Sequence, residues 1–175
     1  LTIIRCHDVW DAFEAAGVPW QWAKFLGLND LVNRDTYAQV HRVPEQSAME
    51  FAQYVAGKTA QAGQATVAFY GDPERVVRTV GIGTGCYSEA LKLYELGADL
   101  ALSVDDIARC WVIGEYCTDT GAPMVVINHG VSEACAMGAL VEAIRGMVPG
   151  VPVREIAQGC SYREVTATPR TVGTW

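Results

Sequence analysis

The sequence predicts an α/β fold in which helices flank a layered sheet that is mostly parallel in its second half. Short runs rich in Val and Ile alternate with amphipathic stretches from residue 66 to residue 157, in the order that strand–helix–strand units require. The run Pro123–Asn128 is almost wholly apolar, which is typical of a strand buried on both faces of a parallel sheet. Glycine turns and Pro149 separate these elements, so their approximate limits are visible in the sequence.

The second half of the chain has a separate signal for each element. Runs predicted as strands are rich in β-branched residues, whereas predicted helices repeat their apolar side chains at helical spacing. The predicted strands are Thr66–Tyr70, Val76–Ile82, Leu100–Val104, Pro123–Asn128 and Val151–Ala157. The predicted helices run from a cap at Ser88 to Gly97, from Ile107 to Thr118, and from near Ser132 to Met147.

The first half is less regular. We expect a strand over Leu1–Cys6, a helical or loop region over Val9–Leu31, a strand over Thr36–Val40 and a helix from about Gln46 to Ala56. The β-type start of the sequence is what the interior of a longer chain would show. We expect residues 1–175 to form a single domain.

Composition excludes several classes of protein. Half of the residues are hydrophobic and 19% are charged, which favours a globular chain over a disordered one. Thirteen Lys and Arg against twenty Asp and Glu leave a net charge of −7. The sequence has no run of basic residues that could bind along a phosphate backbone. We therefore expect no direct binding to nucleic acid.

The cysteines and the hydropathy pattern indicate a compartment. No apolar stretch reaches the roughly 18 residues of a membrane span, so we expect no membrane insertion. The six cysteines form no C-x-x-C pair and no dense cluster, which favours reduced thiols. These observations predict a cytoplasmic protein.

Each of the three histidines directly follows a β-type run: His7, His41 and His129. Ligands of α/β proteins collect where strands end, because loops there vary while the sheet fixes their ends. A histidine taken alone is more often a surface or hydrogen-bonded residue, so the shared placement is what makes the three candidates for a site.

The segment from Asn128 to Glu133 is the most informative one. His129 directly follows a predicted buried strand, Gly130 permits a tight turn, and Glu133 lies in the first turn of the next helix. The side chains of His129 and Glu133 can therefore reach one point. Imidazole and carboxylate together suit a divalent transition metal. The alternative for Glu133 is a charge that stabilises the helix N-terminus by about 0.3–1 kcal/mol.

Cys6, His7 and Asp8 form a second polar group at a predicted strand end. All three side chains can bind metals when deprotonated. Neighbouring residues of an extended chain point to opposite sides, so Cys6 and His7 would serve two ions more readily than one. The alternative for Cys6 is a small residue of the core.

The run Gly81–Cys86 lies between a strand and a helix, as dinucleotide-binding turns do. Its third glycine comes one residue early for that motif. An acidic residue about twenty positions further on, Asp105 or Asp106, is easily found by chance. A nucleotide-binding turn and a purely structural turn are therefore both open.

These residues resemble the Nif3-like dinuclear metal centre proteins, a family also called type 2 homologues of GTP cyclohydrolase I. The resemblance is carried by the turn Gly81–Gly85, the helix that ends in Leu96–Asp99 and, above all, the segment His129–Glu133. It implies a Nif3-like fold. From the resemblance we expect that the family's first strand–helix unit, which precedes its double histidine, is missing from residues 1–175.

The resemblance also implies a ligand set. Family members use a late histidine and glutamate, matched by His129 and Glu133, and a His-His-Pro motif, for which Cys6-His7-Asp8 stands here. A family aspartate is best matched by Glu45. The implied cofactor is a pair of divalent ions, zinc first with iron or manganese as alternatives, in a homohexameric ring.

Three functions follow as hypotheses. The first is a metal-dependent hydrolase of a nucleotide or phosphorylated small molecule, in which Asp8 is the candidate base and Glu45 or Glu133 bridges the ions. The second is a non-catalytic metal-binding oligomeric scaffold or regulator. The third is a nucleotide-binding module that uses the turn Gly81–Gly85.

Overall fold

Six strands and six α-helices make up residues 2–165, the part of the protein that this computed structural model describes. The strands are β1 (Asp30–Arg34), β2 (Ala38–Ser47), β3 (Ala68–Tyr70), β4 (Val76–Gly83), β5 (Leu100–Val104) and β6 (Met124–Ile127). The helices are α1 (Asp8–Asp11), α2 (Val18–Leu26), α3 (Ala48–Thr59), α4 (Ala90–Glu95), α5 (Glu115–Thr120) and α6 (His129–Met147). Short 3-10 turns occur at Ala60–Ala62 and Gly85–Tyr87, and a π-helical turn at Cys110–Gly114.

The strands form one mixed sheet in the order β1-β2-β4-β5-β6-β3. Strands β4, β5 and β6 run parallel to one another at its centre, and the other neighbours pair antiparallel. Every residue of β5 and β6 is buried, as expected for apolar strands covered on both faces. The predicted α/β class, with flanking helices and a sheet that is mostly parallel in its second half, is confirmed.

Helices cover both faces of the sheet. Because successive strand residues point to opposite faces, Leu100 and Leu102 of β5 join one core cluster while Ala101 joins the other. The first cluster includes large side chains of α2 and α3, namely Trp22, Leu26, Phe51 and Val55. The second includes Leu93, Ile113 and Cys117, from α4, the π-helical turn and α5. A third, smaller cluster joins α1 and α2 to α6.

The start of α3 shows how local sequence sets an element. Ser47 accepts a hydrogen bond from the backbone N–H of Glu50, and the Glu50 carboxylate accepts one from the Ser47 N–H. This reciprocal cap satisfies two backbone donors at the helix end. The helix predicted from about Gln46 to Ala56 is confirmed, with bounds of Ala48–Thr59.

The strands predicted at the two ends of the chain are wrong. Residue 1 lies outside the described residues, and residues 2–6 form no regular element and are exposed. Residues 152–157 are likewise without regular structure and lie beside α6, where the Arg145 side chain donates to the carbonyl of Val153 at 2.9 Å. Both runs carry β-type residues but pair with no strand among residues 2–165, and propensity alone does not make a sheet.

Three other elements differ from expectation. Strand β1 was not predicted: it begins at Asp30, inside the stretch expected to be helix or loop, and its exposed residues show no alternation of apolar and polar side chains. Helix α6 begins at His129 instead of near Ser132. The helix predicted over Ile107–Thr118 is split into a π-helical turn and α5, and it follows Arg109, whose φ of 39° is left-handed.

Helix α6 is the longest helix of residues 2–165, with 19 residues. Within that range, no helix combines the length and apolar character needed to cross a membrane.

Candidate metal centre

A histidine and a glutamate meet on the first turn of α6. Strand β6 ends at Ile127, and Asn128, in extended conformation, leads directly into the helix at His129. Residues four apart share one face of a helix, and Nε2 of His129 lies 2.8 Å from Oε1 of Glu133. The prediction that these two side chains reach one point is confirmed.

A second carboxylate holds the other side of the imidazole. Nδ1 of His129 lies 2.9 Å from Oδ2 of Asp106, in the loop that follows β5. The hydrogen bond to Glu133 is the main cause that raises the pKa of His129 to about 9; Asp106 adds to the rise and partial burial opposes it. In the absence of a metal, the ring is therefore a cation held between two carboxylates at neutral pH.

The glycine turn after β4 presses against this pair. Gly85 has a left-handed φ of 42°, and a Cβ built on it would lie 2.6 Å from Nε2 of His129 and 3.1 Å from Oε1 of Glu133. The neighbouring Thr84 hydroxyl lies 3.4 Å from the same carboxylate oxygen. Glycine at position 85 therefore keeps open the space beside the two atoms that could bind a metal.

A second cluster of ligand side chains lies on and beside α1. His7, Asp8 and Asp11 each offer one ligand atom, and these atoms lie within 4.8 Å of one another. Nδ1 of His7 is 2.5 Å from Oδ1 of Asp8 and 3.9 Å from Oδ2 of Asp11. The bond to Asp8 raises the pKa of His7 and lowers the pKa of Asp8, so Asp8 is ionised at neutral pH.

Packing of α1 against α6 brings the two clusters toward each other. Trp10 is buried with Val18 and Ala136, and Ala136 lies about one turn beyond Glu133 on α6. Burial raises the pKa of Asp11, and the negative charge of Glu133 raises it further. The charge of Glu133 therefore acts on Asp11, although residues 11 and 133 are far apart in the sequence.

This set of donors fits a divalent metal ion. Imidazole nitrogen and carboxylate oxygen are ligands for zinc, iron and manganese, and a ligating histidine commonly donates its other ring N–H to a carboxylate. Asp106 is the carboxylate beside Nδ1 of His129, and Asp8 is the carboxylate beside Nδ1 of His7. In His129, the Nε2 atom beside Glu133 is the ligating position.

Cys6 does not join these side chains. Its thiol is exposed, and in the described part of the chain no group of three or more close ligand atoms includes it. Cys6 instead borders an apolar groove between the segment before α1 and the far half of α6, with Ile4, Val9 and Met147.

Glu45 lies at the other end of the sheet, away from His129. It lies in β2 beside the start of β4, where its carboxylate is 2.8 Å from the Arg78 guanidinium. Strand β2 runs antiparallel to β4, so its last residues meet the amino ends of the parallel strands, whereas His129 follows a carboxyl end. The ligand position that the resemblance assigned to Glu45 is therefore not supported by its placement.

His41 is also not at a strand end. It lies inside β2, which continues to Ser47, and it is 3% exposed. Its Nε2 is 2.8 Å from the side-chain oxygen of buried Gln39, and its Nδ1 has no partner among the described residues. Burial lowers the pKa of His41, so the ring is neutral at neutral pH.

Two residues of the site were missed by sequence reasoning. Asp11 follows His7 by four residues, the same helical spacing that joins His129 and Glu133, and this repeat of the pattern was a usable signal. The sequence marks Asp106 only as an acidic residue downstream of the glycine turn. Its position directly after buried β5 places it at the same sheet edge as His129.

The three glycines of the turn have packing reasons. A Cβ on Gly81 would lie 2.8 Å from the Leu93 side chain, and a Cβ on Gly83 would lie 2.8 Å from the carbonyl oxygen of Tyr87. Gly85 lies against His129, as described above. These contacts explain the glycines without a bound nucleotide, so the turn gives the nucleotide-binding hypothesis no support.

Comparisons with known structures show the same fold in three proteins. The protein ybgI, a structural-genomics target of unknown function, matches with a TM-score of 0.66 and 19% identity over 80% of this chain and 55% of its own. Reduced HcgD from Methanocaldococcus jannaschii matches at 0.62 and 15% identity, over 82% and 56%. TTHA1606 from Thermus thermophilus matches at 0.60 and 20% identity, over 81% and 55%.

The chain thus spans a little over half the length of these three proteins. No curated protein sequence matches it. A family model, however, matches residues 1–158, which is most of the chain. Together with the sheet topology, this match shows that the chain belongs to the Duf34/NIF3 (NGG1p interacting factor 3) family.

Proposed function

We propose that the protein binds divalent metal ions between α1 and α6, with His7, Asp11, His129 and Glu133 as ligands. The observation that carries this proposal is the geometry of His129. Its Nε2 and the Glu133 carboxylate lie 2.8 Å apart, while Asp106 fixes the opposite ring nitrogen. A metal ion could replace the proton between Nε2 of His129 and the Glu133 carboxylate. Both groups would then be ligands, and the bond from Nδ1 of His129 to Asp106 would remain.

Electrostatics favours a cation at the same place. Burial raises the pKa of Asp11, and the negative charge of Glu133 raises it further. A bound divalent ion would remove both penalties, because each carboxylate would then have a positive partner. Zinc suits the mixed nitrogen and oxygen donors, and iron or manganese are the alternatives. Two ligand clusters favour two ions.

We further propose that the site hydrolyses a nucleotide or phosphorylated small molecule. A bound divalent ion lowers the pKa of water to about 7 and polarises a phosphoryl oxygen. Asp8 is the candidate base, since its side chain is 81% exposed and its bond to His7 keeps it ionised. Glu133 would bridge the ions as the second catalytic residue, because its Oε1 lies 2.8 Å from Nε2 of His129 and its negative charge raises the pKa of Asp11.

Metal content and turnover test this proposal together. The purified protein is analysed for zinc, iron and manganese, and is then assayed with nucleotides and phosphate monoesters, alongside His129→Ala and Glu45→Gln. We expect stoichiometric metal and turnover in the unaltered protein and in Glu45→Gln, and loss of both in His129→Ala. A protein that takes up no divalent metal would overturn the proposed function.

A non-catalytic metal-binding scaffold is the second candidate function. The observation that favours it is an apolar groove of about 550 Å³ along α6, lined in part by exposed Val9, Phe13 and Met147. Exposed apolar surface of this kind is typical of protein interfaces, and a homohexamer is the assembly we propose. Light scattering gives the assembly size, and bound metal with no turnover of any substrate would favour the scaffold.

A further inference from the structure

After α6, residues 151–165 turn back along that helix toward His129. We name residues 151–165 the strap. Near its start, Val153 accepts a hydrogen bond from Arg145 of α6. Further on, the Gly159 carbonyl oxygen lies 3.2 Å from the position that a Cβ on Gly130 would occupy. The strap therefore covers the first turn of α6, next to His129.

Asn128 anchors the strap. Its side chain is 2% exposed and makes no bond to the N-terminal N–H groups of α6, although Asn at this position commonly caps a helix. Its Nδ2 instead donates to the hydroxyl of Ser161 at 2.8 Å, and its Oδ1 accepts from the backbone N–H of Ser161 at 3.2 Å. The amide is thus committed to the strap on both of its polar atoms.

Gln64 provides a second buried anchor, and it is 1% exposed. Its Nε2 donates to the hydroxyl of Tyr162 at 3.0 Å, and its Oε1 accepts from the backbone N–H of Asn128 at 3.0 Å. One amide therefore joins the strap to the backbone directly before His129. Buried amides bonded on both sides are costly to leave unpaired, so this arrangement favours a single position of the strap.

The far end of the strap is held as well. The Glu164 carboxylate accepts from the backbone N–H groups of Ala65 at 3.1 Å and Thr66 at 2.8 Å, and also from the Thr66 hydroxyl. Strap residues 161, 162 and 164 are thus all bonded to residues close to the end of β6, namely Asn128 and residues 64–66.

Asp105 continues this network into the metal centre. Its Oδ2 accepts from Nδ2 of Asn128 at 2.8 Å, and its Oδ1 accepts from the backbone N–H of His129 at 3.2 Å. The same asparagine nitrogen thus serves both the strap and the carboxylate that holds the His129 backbone. Displacement of Ser161 would free Asn128 and loosen the restraint on the ligand.

We propose that Asn128 and Gln64 are positioning residues through which the docked strap fixes His129 for metal binding. This inference rests on the proposed metal site. If docking of the strap favours metal binding, then metal binding must favour docking of the strap to the same extent, because coupling between two equilibria is reciprocal.

The test uses the full chain with zinc as the probe. The variant Ser161→Ala/Tyr162→Phe removes both strap hydroxyls but leaves Asn128, Gln64 and every proposed ligand in place. Ser161→Thr/Tyr162→Phe restores one hydroxyl, and Ile156→Ala changes a strap residue that is 92% exposed. Zinc dissociation constants are measured by competition with a chromophoric chelator.

We expect the double removal to weaken zinc binding by about three- to tenfold, the effect of losing one or two hydrogen bonds. The restored variant should recover part of the affinity, and Ile156→Ala should bind zinc like the unaltered protein. Unchanged affinity in the double removal, with His129→Ala still unable to bind zinc, would overturn this inference and leave the proposed function standing. No zinc binding by the unaltered protein would overturn both.

Hydrogen exchange of the unaltered protein gives an independent measurement, which does not depend on how the variants fold. The amides of Ser161, Ala65 and Thr66 report strap docking, because each donates to a strap contact. We expect zinc to slow exchange at these three amides. Exchange that is the same with and without zinc would contradict the proposed coupling.

Discussion

Asp106 holds Nδ1 of His129 at 2.9 Å and thereby turns Nε2 toward Glu133. Asp106 lies in the loop after β5, and His129 begins α6 directly after β6; because β5 and β6 are parallel neighbours, the sheet itself sets the contact. An orienting carboxylate of this kind keeps a histidine in the tautomer and position needed for a metal.

Removing this orienting charge should weaken metal binding without removing a ligand. We expect Asp106→Asn to raise the zinc dissociation constant by about 10- to 100-fold. Asp119→Asn, an exposed acidic residue of α5, is the matched control and should leave affinity unchanged. Chelator competition measures both variants, and equal affinities would show that Asp106 does not orient the ligand.

Asp11 and Glu45 distinguish the ligand set of the structure from that of the resemblance. Asp11 lies within 4.8 Å of the other ligand atoms of its cluster, whereas Glu45 pairs with Arg78 at the far end of the sheet. We therefore expect Asp11→Asn to lose at least one equivalent of zinc, and Glu45→Gln to retain all of it. Elemental analysis of the purified variants checks this, and zinc loss in Glu45→Gln alone would reverse the assignment.

Gly85 should be intolerant of any side chain. Its left-handed φ disfavours Ala by about 1 kcal/mol, and the added Cβ would lie 2.6 Å from Nε2 of His129. We expect Gly85→Ala to lower the free energy of unfolding by about 1–3 kcal/mol and to weaken zinc binding. Denaturant unfolding and zinc titration give the two values.

Gly57 is the matched control for that change. It lies inside α3, and a Cβ built there meets nothing within 4 Å. Gly57→Ala should therefore stabilise the protein by about 0.5–1 kcal/mol, because Ala is the better helix former. A similar loss of stability in both variants would mean that the contact with His129 is not the cause.

His41 should make the protein less stable in acid. Burial lowers its pKa in the folded state below the usual 6.5, so the unfolded chain takes up the proton first. Stability is therefore full above about pH 6.5 and falls as the pH drops toward the folded pKa, with a slope of at most about 1.4 kcal/mol per pH unit for one proton.

The comparison of unaltered protein with His41→Leu isolates this effect from the other two histidines. Their pKa values are raised, so they act in the opposite direction. We expect the difference in unfolding free energy between the two proteins to change between pH 7 and pH 5, in favour of His41→Leu at the lower pH. A difference independent of pH would show that His41 keeps its ordinary pKa.

The sequence by itself determined the α/β class and the meeting of His129 with Glu133. Both follow from local periodicity: buried strands are continuous apolar runs, and residues four apart on a helix share a face. Such patterns can be recognised without knowing the rest of the chain. The bounds predicted for Pro123–Asn128 and for the following helix therefore lie within a few residues of those in the structure.

The tertiary structure alone decided which distant residues share the site. Glu45 lies at the wrong end of the sheet because β2 runs antiparallel to β4, and strand direction is not encoded in a run of β-type residues. Helix α1, which carries Asp11, lies beside α6 because Trp10 packs against Ala136, and Asp106 reaches His129 because β5 pairs with β6. Burial and strand pairing are non-local, so only the assembled fold brings these carboxylates together.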